Sequence, residues 1–321
     1  MSNNGLNRRS FLAVMGLGAG GLAGFESPAT AARVTAVPER KFFMVLSCSR
    51  IGVKASFRES LDLAVKYGFE GIDPDPGYFS QLSEDELKRL LDELKAKNLK
   101  LGAAGLRVDF RKDELTFSEE LKKLPAVAKI LEKTRVTRVS TWIRPCSDEL
   151  TYLQNFRSHA CRLRACAEIL KDHGQRLGLE YVGPKTLWRS QKHPFVHTLS
   201  EMKELIVATG LGNVGVQLDS WHWFTAEETA EDLLTLRNED IITVDLNDAP
   251  AGIPLDKQVD SSRELPAATG VIPVKAFLDA LRKIGYDGPI HAEPFNAALR
   301  AAPRDEACAA TAAAMERALA L

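Results

Sequence analysis

The sequence predicts an α/β chain closed into a single (β/α)8 TIM barrel behind an N-terminal export signal. Three observations carry that expectation. Short apolar runs alternate strictly with helical patterns, eight times between residues 41 and 321, which implies a parallel sheet with crossover helices. Several of those runs end on a carboxylate: Glu180 in GLEYVG, Asp219 in GVQLDSWHWF and Glu293 in PIHAEPF. Charged groups at the ends of different strands, each followed by a helix, suit the C-terminal face of a barrel. Finally, SCSRIGVKAS after the first strand is no Gly-rich phosphate loop, so an open nucleotide-binding sheet is not indicated.

Taken in order, KFFMVLS is the first strand and SFRESLDLAVKYG the helix after it, with apolar residues at helical spacing and Gly68 as its stop. FEGIDPD is strand two. SEDELKRLLDELKAKN is an amphipathic helix opened by a Ser83–Glu86 capping box. LKLGAAGL is strand three, and FSEELKKLPAVAKILEKT is helical but divided or kinked at Pro125. RVSTWI is strand four, and residues 148 to 173 form the fourth helix. LGLEYVG, NVGVQLD, IITVDLND and PIHAEPF are strands five to eight. The helices among them are HTLSEMKELIVATG, TAEETAEDLLTLR, with a Thr225–Glu228 capping box at its start, and VIPVKAFLDALRKIGY; RDEACAATAAAMERALAL closes the chain. No linker rich in Gly, Pro or Ser interrupts residues 41–321, so they read as one domain.

The N-terminus stands apart. Arg8 and Arg9 precede a short apolar, glycine-rich run, and Ala29-Thr-Ala31 is a small-x-small cleavage site. This is the pattern of a twin-arginine signal over residues 1–31, with 32–40 as a polar joint. It implies a periplasmic protein handled by the twin-arginine export machinery; an uncleaved anchor is the alternative, although the run is short for a membrane span. The formal net charge of -1 gives no basic bias, so no nucleic-acid partner is expected. Cys48, Cys146, Cys161, Cys166 and Cys308 are odd in number and scattered. They suggest buried small hydrophobes rather than a disulfide framework.

In a barrel, consecutive strand ends face one funnel. Glu180, Asp219, Asp245 and Glu293 would repel one another there unless a cation held them. One divalent ion is the economical explanation. Oxygen ligation favours Mn²⁺ or Mg²⁺, with Co²⁺ or Zn²⁺ also open. Asp245 could instead point outward to a helix start or pair with a lysine. Lys185, His222 and Arg263 are the candidate substrate-binding groups and countercharges, and His222 is also an alternative metal ligand. Arg263 lies in the long loop 249–270, and loops of that length are usually functional; pairing with Asp260 on the surface is its plainer use. His193 and His197 are weaker candidates. Trp188, Trp221 and Trp223 could stack on a sugar ring or simply pack the core.

LEYVGPKT, LDSWH, VDLNDAPAGIPL, QVDSSRELP and GYDGPIHAEPF stand in order on strands five to eight and the loop after strand seven. With them the chain resembles the xylose-isomerase-like barrel superfamily of sugar isomerases and epimerases, which also includes type-two apurinic endonucleases. The resemblance implies a divalent metal held by Glu, Asp, His and Glu, which fall here on Glu180, Asp219, Asp245 and Glu293. Asp245 is a departure, since the family pattern V-H-L-N-D reads Val244-Asp-Leu-Asn-Asp248. It also implies that Glu180 and Glu293 pass a proton on and off carbon beside a metal-bound carbonyl, and that Arg263 reaches the carbohydrate substrate. The expected activity is therefore a metal-dependent sugar isomerase or epimerase. A β-eliminating lyase on 3-keto-glycosides shares the first step. A catalytically silent sugar-binding barrel and an endonuclease-like phosphodiesterase are the readings from other classes.

Overall fold

The computed structural model describes residues 38–321. The expected export signal at 1–31, and the joint expected at 32–40 up to residue 37, lie outside the described residues. The strands are β1 (Phe43–Leu46), β2 (Gly71–Ile72), β3 (Lys100–Leu101), β4 (Ala104–Gly105), β5 (Arg138–Trp142), β6 (Cys146–Ser147), β7 (Arg176–Glu180), β8 (His193–Pro194), β9 (Val214–Asp219), β10 (Ile241–Leu246) and β11 (Pro289–Ala292). Nine of them form one parallel sheet in the order β3-β2-β1-β11-β10-β9-β7-β5-β4. β6 and β8 make a separate antiparallel ribbon.

The two ends of that order explain how eight expected strands become nine. β3 and β4 are the two halves of LKLGAAGL, separated only by Gly102 and Ala103. The first half pairs with β2, where Gly102 N–H also donates to Ile72 O at 2.9 Å. The second half pairs with β5, and Leu106 N–H donates to Ser140 O at 2.9 Å. The third strand thus switches partners half-way, and the curled sheet meets itself along one piece of chain.

Each crossover helix presents a buried stripe to the sheet. Leu87, Leu90 and Leu94 line the inner face of Glu84–Ala96, whose N-terminus carries the Ser83–Glu86 capping box. Pro125 starts a new helix, Leu124–Lys133, after Glu114–Leu121 has ended, because its ring cannot sit inside a continuous helix. The expected helix from Thr225 is not formed. Asp219 instead caps a short helix, Ser220–Thr225; Glu227 takes φ 59°, and Thr229 with Asp232 caps Ala230–Leu233. Glu228 does not cap the helix predicted after Thr225: it turns inward to accept from Tyr181 OH and from the N–H of Leu199, the first residue of helix Leu199–Thr209, both at 2.5 Å. The five cysteines are free, four of them buried.

Candidate active site

Register brings the acidic groups together. Asp219, Asp245 and His291 are Cα partners across β9, β10 and β11, so they share one rung of the barrel wall. Side chains two residues apart on a strand face the same way. Glu293 therefore follows His291 on the inner face, one layer nearer the mouth, and Gln217 precedes Asp219 one layer deeper. Glu180 arrives at the end of β7. One carboxylate oxygen from each of Glu180, Asp219, Asp245 and Glu293 lies within 4.8 Å of the others, and Glu180, Asp219 and His222 form an overlapping group of the same size.

The surroundings hold these carboxylates in place. Asp219 Oδ1 accepts from Trp221 N–H at 2.8 Å and Asn247 Nδ2 at 2.9 Å, while Asn247 Oδ1 accepts from Glu293 N–H at 2.9 Å. Asp245 Oδ2 accepts from Gln217 Nε2 at 2.7 Å. Asp245 Oδ1 is ion-paired with Arg50 and lies 3.6 Å from His291 Nδ1. His291 Nε2 in turn bonds Asp73 at 2.9 Å. Glu180 Oε1 is buried and has no hydrogen-bond partner. An orphaned carboxylate oxygen among three further carboxylates is a poor arrangement for the chain by itself and a good one for a hard divalent cation. The donor set of Glu180, Asp219, Asp245 and Glu293 therefore fits a metal.

Arg263 is delivered by the long loop. Asp248 gathers N–H groups from Ala249, Thr269, Gly270 and Ile272, and a backbone bridge joins it to Glu264. That folds residues 249–270 over the barrel mouth and turns Arg263 inward. Its guanidinium is buried, 2.7 Å from Asp219, 3.2 Å from Glu293 and 2.8 Å from Asp260, with the Phe295 ring 4.5 Å from its centre. The pairing with Asp260 is real, but it belongs to a buried network and not to the surface.

His222 is buried beside it. Its Nδ1 faces Gly183 N–H and its Nε2 faces Arg263 Nη2, each at 3.3 Å, two donors of which a neutral ring can accept only one; Nε2 also lies 3.9 Å from Glu180 and Asp219. Burial, reinforced by Arg263, lowers its pKa to about 3. His222 is thus a neutral ring whose Nε2 stands beside Glu180, Asp219 and Arg263, where a metal or a substrate oxygen would both meet it. Burial lifts the carboxylates: Glu180 stands well above the usual range, with Glu293, Asp245 and Asp219 adding to the rise. Asp219 reaches about 7 despite Arg263. Glu293 is also raised, against the pull of Arg50.

The remaining candidates are placed elsewhere. Lys185 lines a small cavity of about 160 Å³ with Trp188, His197 and Asp256. His197 stacks on Trp188 at 4.5 Å, and His193 pairs with Ser147 in the β6–β8 ribbon. Trp223 packs on Phe277 and donates to Thr229 O. Trp221 is fully buried under Arg263, 5.6 Å from ring to guanidinium. Arg50, Asn247, Gln217 and His291 did not stand out in the sequence. Only the inward register of Gln217 and His291 offered a signal.

The family described as xylose isomerase-like TIM barrel matches residues 61–318. The chain belongs to that family. Inosose isomerase of Halalkalibacterium halodurans is 27% identical over 249 residues, 74% of this chain and 82% of that protein. Among solved structures of the xylose isomerase-like kind, a xylose isomerase domain protein from Alicyclobacillus acidocaldarius has a TM-score of 0.74 at 29% identity. The alignment covers 87% of this chain and 98% of that one. The IolI protein, solved with a bound zinc atom, has a TM-score of 0.72 at 21% identity over 87% of this chain and 98% of its own.

Proposed function

We propose that this xylose isomerase-like barrel is a divalent-metal-dependent isomerase or epimerase of a polyhydroxy carbonyl compound, acting by proton transfer at the carbon beside the carbonyl. One observation carries the reading. Glu180 and Glu293 come from strands separated by β9 and β10, and their carboxylates converge in one buried pocket with raised pKa values. Two carboxyl groups tuned upward suit an acid–base pair working near neutral pH. A divalent ion bound by Glu180, Asp219 and Glu293 would polarise the carbonyl and acidify the neighbouring C–H. One glutamate then takes the proton. The other returns it to the opposite face in epimerisation, or to the neighbouring carbon in isomerisation. Arg263 holds Asp219 and Glu293 in place and stands 3.3 Å from His222 Nε2, so these two groups shape the wall against which the substrate hydroxyls would lie, and Trp221 and Phe295 pack on the guanidinium. The inosose isomerase relative supports a cyclic polyhydroxy ketone as the first substrate to try.

The test is solvent exchange. Metal-loaded protein is incubated with inososes and with ketohexoses in D2O, and deuterium at the carbon beside the carbonyl is read by NMR. Incorporation with the wild type is expected, with a loss of roughly 100-fold or more in Glu180→Gln and in Glu293→Gln. An unsaturated ketone with release of a leaving group from a 3-keto-glycoside would assign the lyase outcome instead. Absence of exchange in every substrate, with metal bound, would sink the proton-transfer reading.

A further inference from the structure

We infer that Arg50 is a built-in countercharge that commits Asp245 to an internal ion pair, leaving a three-carboxylate shell of Glu180, Asp219 and Glu293 for the metal. The inference deepens the metal-site part of the proposed function and rests on it.

Arg50 lies in the loop after β1, on the far side of Glu293 from Asp219 in the sheet order. Its side chain is only 19% exposed, and it reaches Asp245 Oδ1 in an ion pair and Glu293 Oε1 at 3.6 Å. Burial opposes its charge, yet Asp245, Glu293 and Asp73 hold its pKa well above the ordinary range. Asp245 is enclosed on its other oxygen by Gln217 Nε2 at 2.7 Å. Both of its oxygens therefore face protein donors. Neither Asp245 Oδ1 nor Glu180 Oε1 makes a hydrogen bond, but Asp245 Oδ1 has the Arg50 charge against it, whereas Glu180 Oε1 has only the neutral His222 ring, at 3.9 Å. The two carboxylates differ in what they have left to offer a cation.

Charge counting points the same way. Glu180, Asp219, Asp245 and Glu293 carry four negative charges when ionised, and Arg50 and Arg263 carry two positive ones. The remainder matches one divalent ion. Asp260 shares Arg263 in the same buried network and Asp73 acts on Arg50, so this balance is that of the four clustered carboxylates and the two arginines alone. Without Arg50 the cluster holds one more uncompensated charge and Asp245 Oδ1 becomes available. A buried ion pair can also be replaced as a unit at little cost in stability, whereas breaking it leaves an unpaired charge. That asymmetry makes the idea testable.

The measurement is equilibrium dialysis of metal-stripped protein against Mn²⁺ and Zn²⁺, with Co²⁺ absorption spectra of the loaded forms. Arg50→Gln alone should tighten Mn²⁺ binding at least about tenfold, because a cation near the ion is gone and a carboxylate is freed. The double variant Arg50→Gln with Asp245→Asn should return to within about threefold of wild type and keep the wild-type Co²⁺ spectrum, because a neutral pair replaces a neutral pair. If the double variant does not fold, judged by circular dichroism, Arg50→Met with Asp245→Leu serves in its place. A tenfold or greater loss of Mn²⁺ affinity in the folded double variant, or a changed Co²⁺ spectrum, would overturn the inference by showing Asp245 to be a ligand. Wild type that takes up none of these ions would overturn the metal reading itself, a separate result.

Discussion

At Gly183 the chain leaving β7 runs against the short helix that carries His222. A Cβ there would lie 2.4 Å from His222 O and 2.8 Å from Thr225 Oγ1, and backbone cannot yield cheaply. Gly183→Ala is expected to destabilise the fold by roughly 1–3 kcal/mol. It should also push His222 away from Gly183 N–H and from its place beside Glu180 and Asp219. Turnover should then fall several-fold while metal affinity stays near wild type, as read by kinetics beside equilibrium dialysis. Equal loss of both would place His222 in the metal shell. His222, like Glu180 and Asp219, was legible in the sequence because strand ends and the residues just after them face the barrel mouth. Arg263 was legible from the length of its loop. Arg50 was not: its partners are nearly 200 residues away, and nothing in SCSRIG shows that its side chain crosses the funnel to Asp245.

Among the elements, the pattern of apolar runs exposed every barrel strand, since a buried parallel strand is apolar on both faces. It could not show that LKLGAAGL changes partner in mid-strand, because pairing is decided by neighbours and not by the strand. Thr225–Glu228 failed for a related reason. The same spacing recurs at Thr229–Asp232, and only the buried bond of Glu228 to Tyr181 decides which pair caps. Helix Tyr152–Asp172 carries a feature that periodicity passed over. His159 is buried, its Nδ1 bonds Asn155 O at 2.9 Å, its Nε2 has no partner, and Phe110 and Phe195 pack on the ring. Burial lowers its pKa to about 4. The unfolded chain therefore binds more protons than the folded one between about pH 6.5 and 4, and stability is lost as pH falls through that window. His159→Phe should remove a loss of roughly 3 kcal/mol between those limits. Denaturant unfolding of both proteins at pH 7 and pH 4.5 would show it as a smaller pH effect in the variant. Parallel curves would mean the ring is not held neutral.

At the scale of the whole molecule, the proposed export and the proposed metal site both bear on the folded chain. We propose that the chain travels folded through the twin-arginine route, so that Arg8→Lys with Arg9→Lys leaves an uncleaved precursor in the cytoplasm, seen by fractionation. Normal export of that variant would refute it. Folding must also accommodate the site. Four strands, β7, β9, β10 and β11, supply the acidic cluster, so an ion there ties half the barrel wall together and binds the native state alone. At a free concentration 100 times Kd, such an ion adds roughly 2.7 kcal/mol to unfolding. That raises Tm by about 5 °C or more, at roughly 2–4 °C per kcal/mol for a domain approaching this size. Glu180 works against stability in the metal-free protein, because burial and three neighbouring carboxylates disfavour its charge and its Oε1 has no partner. Glu180→Gln keeps the shape and removes the charge. Its metal-free Tm should therefore equal or exceed that of wild type, while the rise on adding Mn²⁺ disappears. Differential scanning calorimetry of both proteins, with and without Mn²⁺, reads the two effects separately. A metal-free variant several degrees less stable than wild type would show that Glu180 holds the barrel together by contacts of its own, and would remove the orphaned oxygen as grounds for placing a cation there.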